Sequence, residues 1–577
     1  MTIRSFCALG LATVITTHAF GQATTNQDAA APRPPQPQGP VQRAPANLDG
    51  WWNHAVFYQI FVRSFADSTR GPLSADGIGD FDGLIDRLDY LNDGDPATST
   101  DLGVNAIWLM PIMPSESYHG YDIKDYKAIH EQLGTMESFK RFMAECKKRG
   151  IRVILDLVPN HCSWDHPWFQ DAAADGPKKD WFLWSSTKPD WKGPWGQDVW
   201  HPWPKDGSGT PREHYYGIFW KGMPDLNFRN PEVTQAMHDV VRWWLLPENG
   251  GIDGYRIDAI RHLIEEGQQQ ESTLSTHAWL KEFNRFYKSV KPDAFTVGEV
   301  WAPTEQVVPY IGGELDSCFE FHTAYATIDA INEGKRERLD RQWEVNLSQY
   351  PQGQYSTFLA NHDMDRVMSR FGGGNKDSAR TPAEAWAKAR LAATLQLTSP
   401  GIPFVYYGEE IGMVGVKPDE DLRTPMQWTP GRHGGFTTAA KPWRPANKDI
   451  ATKNVEQQSK DPQSLLSLYR KLVRLRLGHE ALRTGSMALV DSGHPAVYAF
   501  VRTNEKERFL VVANLSAKPV SAYGIRTPEG FLRAGDAVVE ALTDRLAAKP
   551  VAGGAYKPAG ELGPHAVMVL RFEPIPR

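Results

Sequence analysis

Eight short apolar runs recur between helix-like segments from residue 55 to residue 410, and that rhythm limits the fold more than any other feature of the chain. They read "AVFYQIFVRSF", "VNAIWLMPI", "IRVILDLVPNH", "GIDGYRIDAI", "FTVGEVW", "DSCFEF", "YSTFLANHD" and "IPFVYYGEE". Runs apolar almost throughout mark strands buried on both faces, as parallel sheets require. Ser138–Arg149, Thr234–Leu246 and Ala383–Thr398 read as helices between them. Eight strands alternating with helices predict an α/β chain that closes into a (β/α)8 barrel. The expected barrel comprises residues 51–161 and 231–480. Residues 162–230, rich in Trp, Pro, Gly and Asp, are too long for a loop and read as a small inserted domain after strand 3. Beyond 481 short alternating strands predict a C-terminal antiparallel β-sandwich over 481–577.

Residues 1–23 carry Arg4, an apolar stretch and the small-residue exit "AFGQA", the pattern of a secretory signal. Residues 24–50, with "APRPPQPQGPVQ", read as a Pro-rich linker. A secreted or periplasmic protein, free of the membrane once the signal is removed, is therefore expected. The formal net charge is −6 and no basic block appears, which argues against a nucleic-acid partner. Cys7 leaves with the signal; Cys146, Cys162 and Cys318 form no disulfide framework, and no Cys/His cluster has zinc spacing.

"GIDGYRIDAIRH" puts Arg256 and Asp258 two residues apart, and so on one face of a buried strand. Buried charges are costly unless they meet each other or do chemistry. A structural ion pair is one reading. The other comes from the neighbouring strands. In such a barrel reactive groups sit at the C-terminal strand ends. There stand Asp258 on the fourth strand, Glu299 in "TVGEVW" on the fifth, Asp363 in "LANHDMD" on the seventh, and Asp156, Asn160 and His161 on the third. Each alone could be a helix cap. Together they describe a pocket of acids, a guanidinium and imidazoles. Glycoside hydrolysis needs two carboxylates in different settings. Arg256 would keep Asp258 ionised, while the apolar neighbours of Glu299 would keep its proton.

These residues resemble the α-amylase superfamily, glycoside hydrolase family thirteen. "DLVPNH", "GYRIDAIRH", "GEVW" and "ANHD" are similar to its four principal motifs, and "MPDLN" at 223–227 to an additional one, all in order. The resemblance implies Asp258 as nucleophile, Glu299 as general acid/base and Asp363 as transition-state stabiliser. It implies that Arg256, His161, His362, His119 and Tyr121 hold the reacting sugar, with Arg423 of "DLRTPMQW" and His262 after the nucleophile as further substrate-binding residues. The implied partner is an α-glucan or maltooligosaccharide; a monomer is expected. "DLRTPMQW" and "DGIGDFDGL" resemble the oligo-1,6-glucosidase branch, and "MPDLN" the neopullulanase branch. Exo-acting members of the first branch usually carry an acid where this chain has Tyr118, and "DAIRH" is similar to an α-amylase pattern. An intermediate-type α-amylase cleaving internal α-1,4 bonds is therefore expected. The alternatives are an α-glucosidase or maltooligosaccharide transglycosylase, a non-catalytic glucan-binding protein, and a metal-dependent barrel enzyme using Asp156 and His161.

Asp76, the Ile78 carbonyl and Asp80 have the alternating oxygen spacing of a hard-cation loop, with Asp67 upstream. Related enzymes bind calcium in a matching loop, so a structural calcium is expected there; an ordinary polar turn competes. The resemblance offers a second calcium site at Asn160 and an acid of the inserted segment.

Overall fold

The computed structural model describes residues 46–204, 213–373, 382–543, 551 and 555–572. The signal and nearly all of the linker lie outside the described residues. Eight strands form one parallel sheet: β1 (Phe57–Ile60), β2 (Ala106–Leu109), β3 (Arg152–Leu157), β4 (Gly254–Ile257), β5 (Phe295–Gly298), β6 (Ser317–Cys318), β7 (Ser356–Thr357) and β8 (Ile402–Tyr406). Consecutive strands pair in parallel from β1 to β6 and from β7 to β8, and β8 pairs back onto β1. A parallel bridge from Phe319 to Ser356 and a 2.9 Å hydrogen bond between the Ser317 and Ser356 hydroxyls join β6 to β7. The sheet thus closes into the expected barrel.

Its strands alternate as a closed sheet must. Phe57, Ala106, Trp108, Ile154, Phe295, Val297 and Phe404 form one buried cluster, where the Phe57 and Phe404 rings stack 4.3 Å apart. Their neighbours Tyr58, Ile107, Leu109, Val153, Leu155, Tyr255 and Ile257 belong to the larger core shared with the helices. Period two therefore sends Gln59, Asp156, Arg256 and Asp258 to the same side as the first set. Arg256 is paired in register between Asp156 on β3 and Val297 on β5.

The helices form close to their expected spans, at Met136–Lys148, Pro231–Leu245 and Pro382–Thr398. The first opens with a reciprocal box: Thr135 accepts from the Ser138 amide and Ser138 from the Thr135 amide. Asn230 caps the second, with Pro231 supplying the first turn. β6 and β7 are two residues each, shorter than their apolar runs, and Val62–Phe65 folds as a helical turn where the first run predicts continued strand. These segments leave the ring to build loops over its C-terminal end; the Ser64 hydroxyl, for example, donates to the Arg423 carbonyl at 2.5 Å.

After β3, Trp184–Ser185, Trp200–Trp203 and Glu213–Tyr216 form a three-stranded antiparallel sheet around Val199, Trp200, Tyr216 and Ile218. Toward the C-terminus, Ser486–Leu489, Val497–Thr503, Arg508–Asn514, Val567–Phe572 and Val538–Thr543 form a five-stranded antiparallel sheet in that order. Tyr498, Phe500, Phe509 and Val511 face the main core. Ala499, Val501, Leu510 and Val512 face a second core, covered by the bridged pairs Val520–Leu562 and Ile525–Tyr556. Among the described residues no helix is long and apolar enough to cross a membrane.

Candidate active site

Arg256, buried to 1% exposure, is the hub. Its Nη1 donates to Asp156 Oδ1 and to Asp258 Oδ1, each at 2.7 Å, and its Nη2 to Glu299 Oε2 at 2.5 Å. One planar fork thus joins carboxylates from the ends of three adjacent strands, which a lysine could not do. The buried ion pair expected of Arg256 and Asp258 is present as part of a triad of acids. Burial raises the Glu299 carboxyl to about 8; the neighbouring carboxylates add to this, and Arg256 opposes it. Burial likewise lifts Asp156 to about 7 against the same guanidinium. Burial thus favours the protonated form of Glu299 against the pull of Arg256.

Asp363 lies beyond β7, on a turn in which its amide donates to Asn361 Oδ1. Burial alone would raise its carboxyl. His362, 3.0 Å away through Nε2, and Arg423, donating through Nη2 at 2.8 Å, outweigh that and hold it well below the usual range. Gln59 donates to His362 Nδ1 at 2.8 Å, which leaves the imidazole proton on Nε2, facing Asp363 and Tyr121. The Tyr121 hydroxyl sits 2.6 Å from that nitrogen and donates to Asp156 Oδ2 at 3.1 Å, while its ring lies 5.5 Å from the His362 ring and nearly parallel to it. The two halves of the site thus meet through Tyr121.

His119 accepts from the Tyr121 amide at 3.1 Å and packs against that ring. His161 is buried, with Nε2 lacking a partner, and Phe219 packs edge-on against it. His262 is held through Nδ1 to the Gln270 carbonyl at 3.0 Å. Burial keeps His119 and His262 neutral, each lowered to about 4. Arg423 Nη1 reaches the Tyr118 hydroxyl at 3.2 Å, and Tyr118 stacks on Trp443.

Residues 59–485 match the family model described as alpha amylase, catalytic domain. The chain belongs to the α-amylase family. It is accordingly a glycoside hydrolase of the retaining, double-displacement kind, acting on oligosaccharide. Residues 487–545 match the maltogenic amylase C-terminal domain. Alpha-amylase 3 of Dictyoglomus thermophilum is 36% identical over 474 residues, 81% of this chain and 85% of that protein. An oligo-1,6-glucosidase of Halalkalibacterium halodurans is 33% identical over 539 residues, 80% of this chain and 90% of that one. The crystal structure of an α-amylase from H. orenii superposes with a TM-score of 0.77 at 37% identity, covering 90% of this chain and all of that one.

In this α-amylase family member the same cluster takes in residues that the motif reading passed over. Gln59 orients His362; Trp108 Nε1 donates to Asp156 at 3.2 Å; Asp419 accepts from Arg423 at 3.1 Å. Gln59 and Trp108 were discoverable as polar-tipped side chains on the inward phase of apolar strands. Asp419 had no such signal.

In the Asp67–Asp80 loop the three expected acids accept amide hydrogen bonds of their own. Asp67 accepts from the Ala75 and Gly77 amides at 3.1 and 2.9 Å, Asp76 from the Ile78 amide at 2.8 Å, and Asp80 caps the helix Phe81–Asp86 through the Gly83 amide at 2.8 Å. Burial raises all three carboxyls, and each has another of the three as a repelling neighbour. Among the described residues no three His, Cys, Asp or Glu side chains form a group able to hold a metal. A cation here would rest largely on carbonyl oxygens such as that of Ile78, and on water. That finding also leaves Asp156 and His161 without the further ligands a metal enzyme needs. At the second position, Asn160 Oδ1 and Asp225 Oδ2 are buried without partners, and burial raises Asp225 well above its ordinary value. Two orphaned hard oxygens fit a cation better than the loop does. Cys146, Cys162 and Cys318 are free and buried.

Proposed function

We propose that the protein is an endo-acting α-amylase that cleaves internal α-1,4 bonds of starch, glycogen and maltooligosaccharides. The observation carrying the hydrolytic chemistry is the Arg256 fork, which seats the carboxyl groups of Asp258 and Glu299 side by side on one guanidinium, at 2.7 and 2.5 Å. Asp258, paired to the guanidinium, attacks the anomeric carbon and becomes the glycosyl ester. Glu299, holding its proton, gives it to the departing glycosidic oxygen, then takes one from the water that opens the ester. Asp363, kept ionised by Arg423, bears on the sugar as positive charge develops. Tyr121, His119, His161, His362 and Arg423 hold that sugar, and His262 contacts the leaving side. Endo action is supported by Tyr118, a neutral aromatic beside Arg423 where an acid would clamp a chain end, and by indoles exposed around the cleft.

Calcium at Asn160 and Asp225, and at the Asp67, Asp76, Ile78 and Asp80 loop, is part of the proposal as a structural ion. So are removal of residues 1–23 on export, a secreted or periplasmic location and a monomeric state. The kinship with oligo-1,6-glucosidases favours a second reading, an exo-acting α-glucosidase or transglycosylase. A starch time course separates the two. Endo action predicts loss of iodine staining and viscosity before glucose accumulates, with maltose and short maltooligosaccharides dominating. Glucose alone from the first minutes, with isomaltose or sucrose cleaved better than starch, would establish the second.

A further inference from the structure

The indole of Trp195 is 61% exposed, more than any other tryptophan among the described residues with large exposed side chains, yet it is held firmly. Its amide donates to Gln197 Oε1 at 3.0 Å, and Gln197 Nε2 donates to the Ile218 carbonyl at 2.9 Å. Gly193 and Gly196 close the turn; a β-carbon at Gly193 would collide with the Gln197 amide. Gln270, almost fully buried, ties this turn to the barrel. Its Nε2 donates to the Lys192 carbonyl at 2.7 Å, its Oε1 accepts from the Tyr216 hydroxyl at 2.9 Å, and its own carbonyl holds His262 at 3.0 Å. The Trp195 ring rests 5.7 Å from both His262 and Phe219, and Phe219 packs on His161. An exposed indole whose backbone is pinned by Gln197 and whose ring rests against Phe219 and His262 has part of its ordering cost met before any ligand arrives.

The ring order of the strands says which part of the substrate it meets. Gln59, Tyr118, Tyr121, His362, Asp363 and Arg423 come from β1 and the loops after β2, β7 and β8, one continuous arc of the barrel. His161, Arg256, Asp258, His262, Glu299 and Trp195 belong to β3, β4 and β5 and the segments after them, the facing arc; of these His262 and Glu299 bear on the leaving side, and it is on His262 that the Trp195 ring packs. Glu299 is the proton donor to the leaving oxygen, so the leaving chain lies on its side.

We infer that Trp195 is the stacking platform for a glucose unit on the leaving side of the scissile bond, positioned by Gln197 and Gln270, and that it sets the preference for longer α-glucans. This rests on the endo-amylase reading above. The test compares Trp195→Ala and Trp195→Phe with wild type on maltopentaose and on α-glucosyl fluoride, whose leaving group carries no sugar. Trp195→Ala should lower kcat/KM on maltopentaose roughly 3- to 10-fold, the loss of one aromatic contact, and leave the fluoride within about twofold. Trp195→Phe should restore most of the loss. Equal losses on both substrates, no loss on maltopentaose, or no rescue by Phe would overturn the assignment. Failure of the endo-amylase reading would instead show in the wild type, as isomaltose or sucrose cleaved in preference to maltopentaose.

Discussion

Arg256→Met removes the one cation shared by Asp156, Asp258 and Glu299 while keeping much of the side-chain volume. Arg256 and Asp156 are 1% and 0% exposed, so water cannot take over the solvation of the stranded acids. Removing one member of a buried ion pair costs about 3–5 kcal/mol, and the replacement should lower the urea midpoint and Tm accordingly. The pH dependence carries the sharper signature. In the wild type burial already lifts Asp156 to about 7 and Glu299 to about 8. Unfolded carboxyls titrate near 4, so between about 4 and 8 the folded state binds more protons than the unfolded chain. Stability contributed by these two groups therefore falls as pH rises through that window. Without the guanidinium both values move up and the window widens. The penalty should be largest near pH 8 and shrink toward pH 5, by at most about 1.4 kcal/mol per pH unit for each carboxyl. Urea unfolding of both proteins at pH 5, 6, 7 and 8 reads this directly. A variant as stable as wild type at pH 8, or a penalty that grows on acidification, would refute the reasoning.

Two further outcomes are expected. Because Glu299 must carry its proton and is raised to about 8, starch hydrolysis should decline as pH rises through that value, about tenfold per unit beyond it; Glu299→Gln should lose several orders of magnitude on starch but far less on α-glucosyl fluoride, and a rate flat well past pH 9 would remove Glu299 as the acid. Chelation should lower Tm and added calcium restore it by mass action, with Asp225→Asn blunting the response; a melting curve indifferent to chelator would leave both candidate sites as polar turns and buried acids.

The barrel was legible because hydrophobic runs and strand period act locally: each run must bury two faces whatever its neighbours do. The same parity placed Arg256 and Asp258 on one face, and Glu299 one residue past β5. Their joining on a single fork was not legible, since it depends on register across β3, β4 and β5. β6 and β7 show the limit of the apolar signal: "DSCFEF" and "YSTFLANHD" stay buried after pairing stops, because the loops over the barrel end are themselves packed. In the Asp67–Asp80 stretch, oxygens at alternate positions suit a cation loop and equally suit side chains that accept from amides, as Asp76 and Asp80 do from amides two and three residues on and Asp67 from those of Ala75 and Gly77. Asn160 and Asp225 come together only through the bridge between His161 and Asp225, far apart in sequence.

The account centres on Asp258 as the group that becomes covalently glycosylated while Glu299 supplies the proton. A fluorinated α-glucosyl fluoride slows hydrolysis of the ester more than its formation, so the intermediate accumulates and can be weighed. Intact-mass analysis followed by peptide mapping should find one sugar per chain, on the peptide containing Asp258, and none in Asp258→Asn. A label on Asp156, Glu299 or Asp363, or full turnover of unmodified substrate by Asp258→Asn, would contradict it.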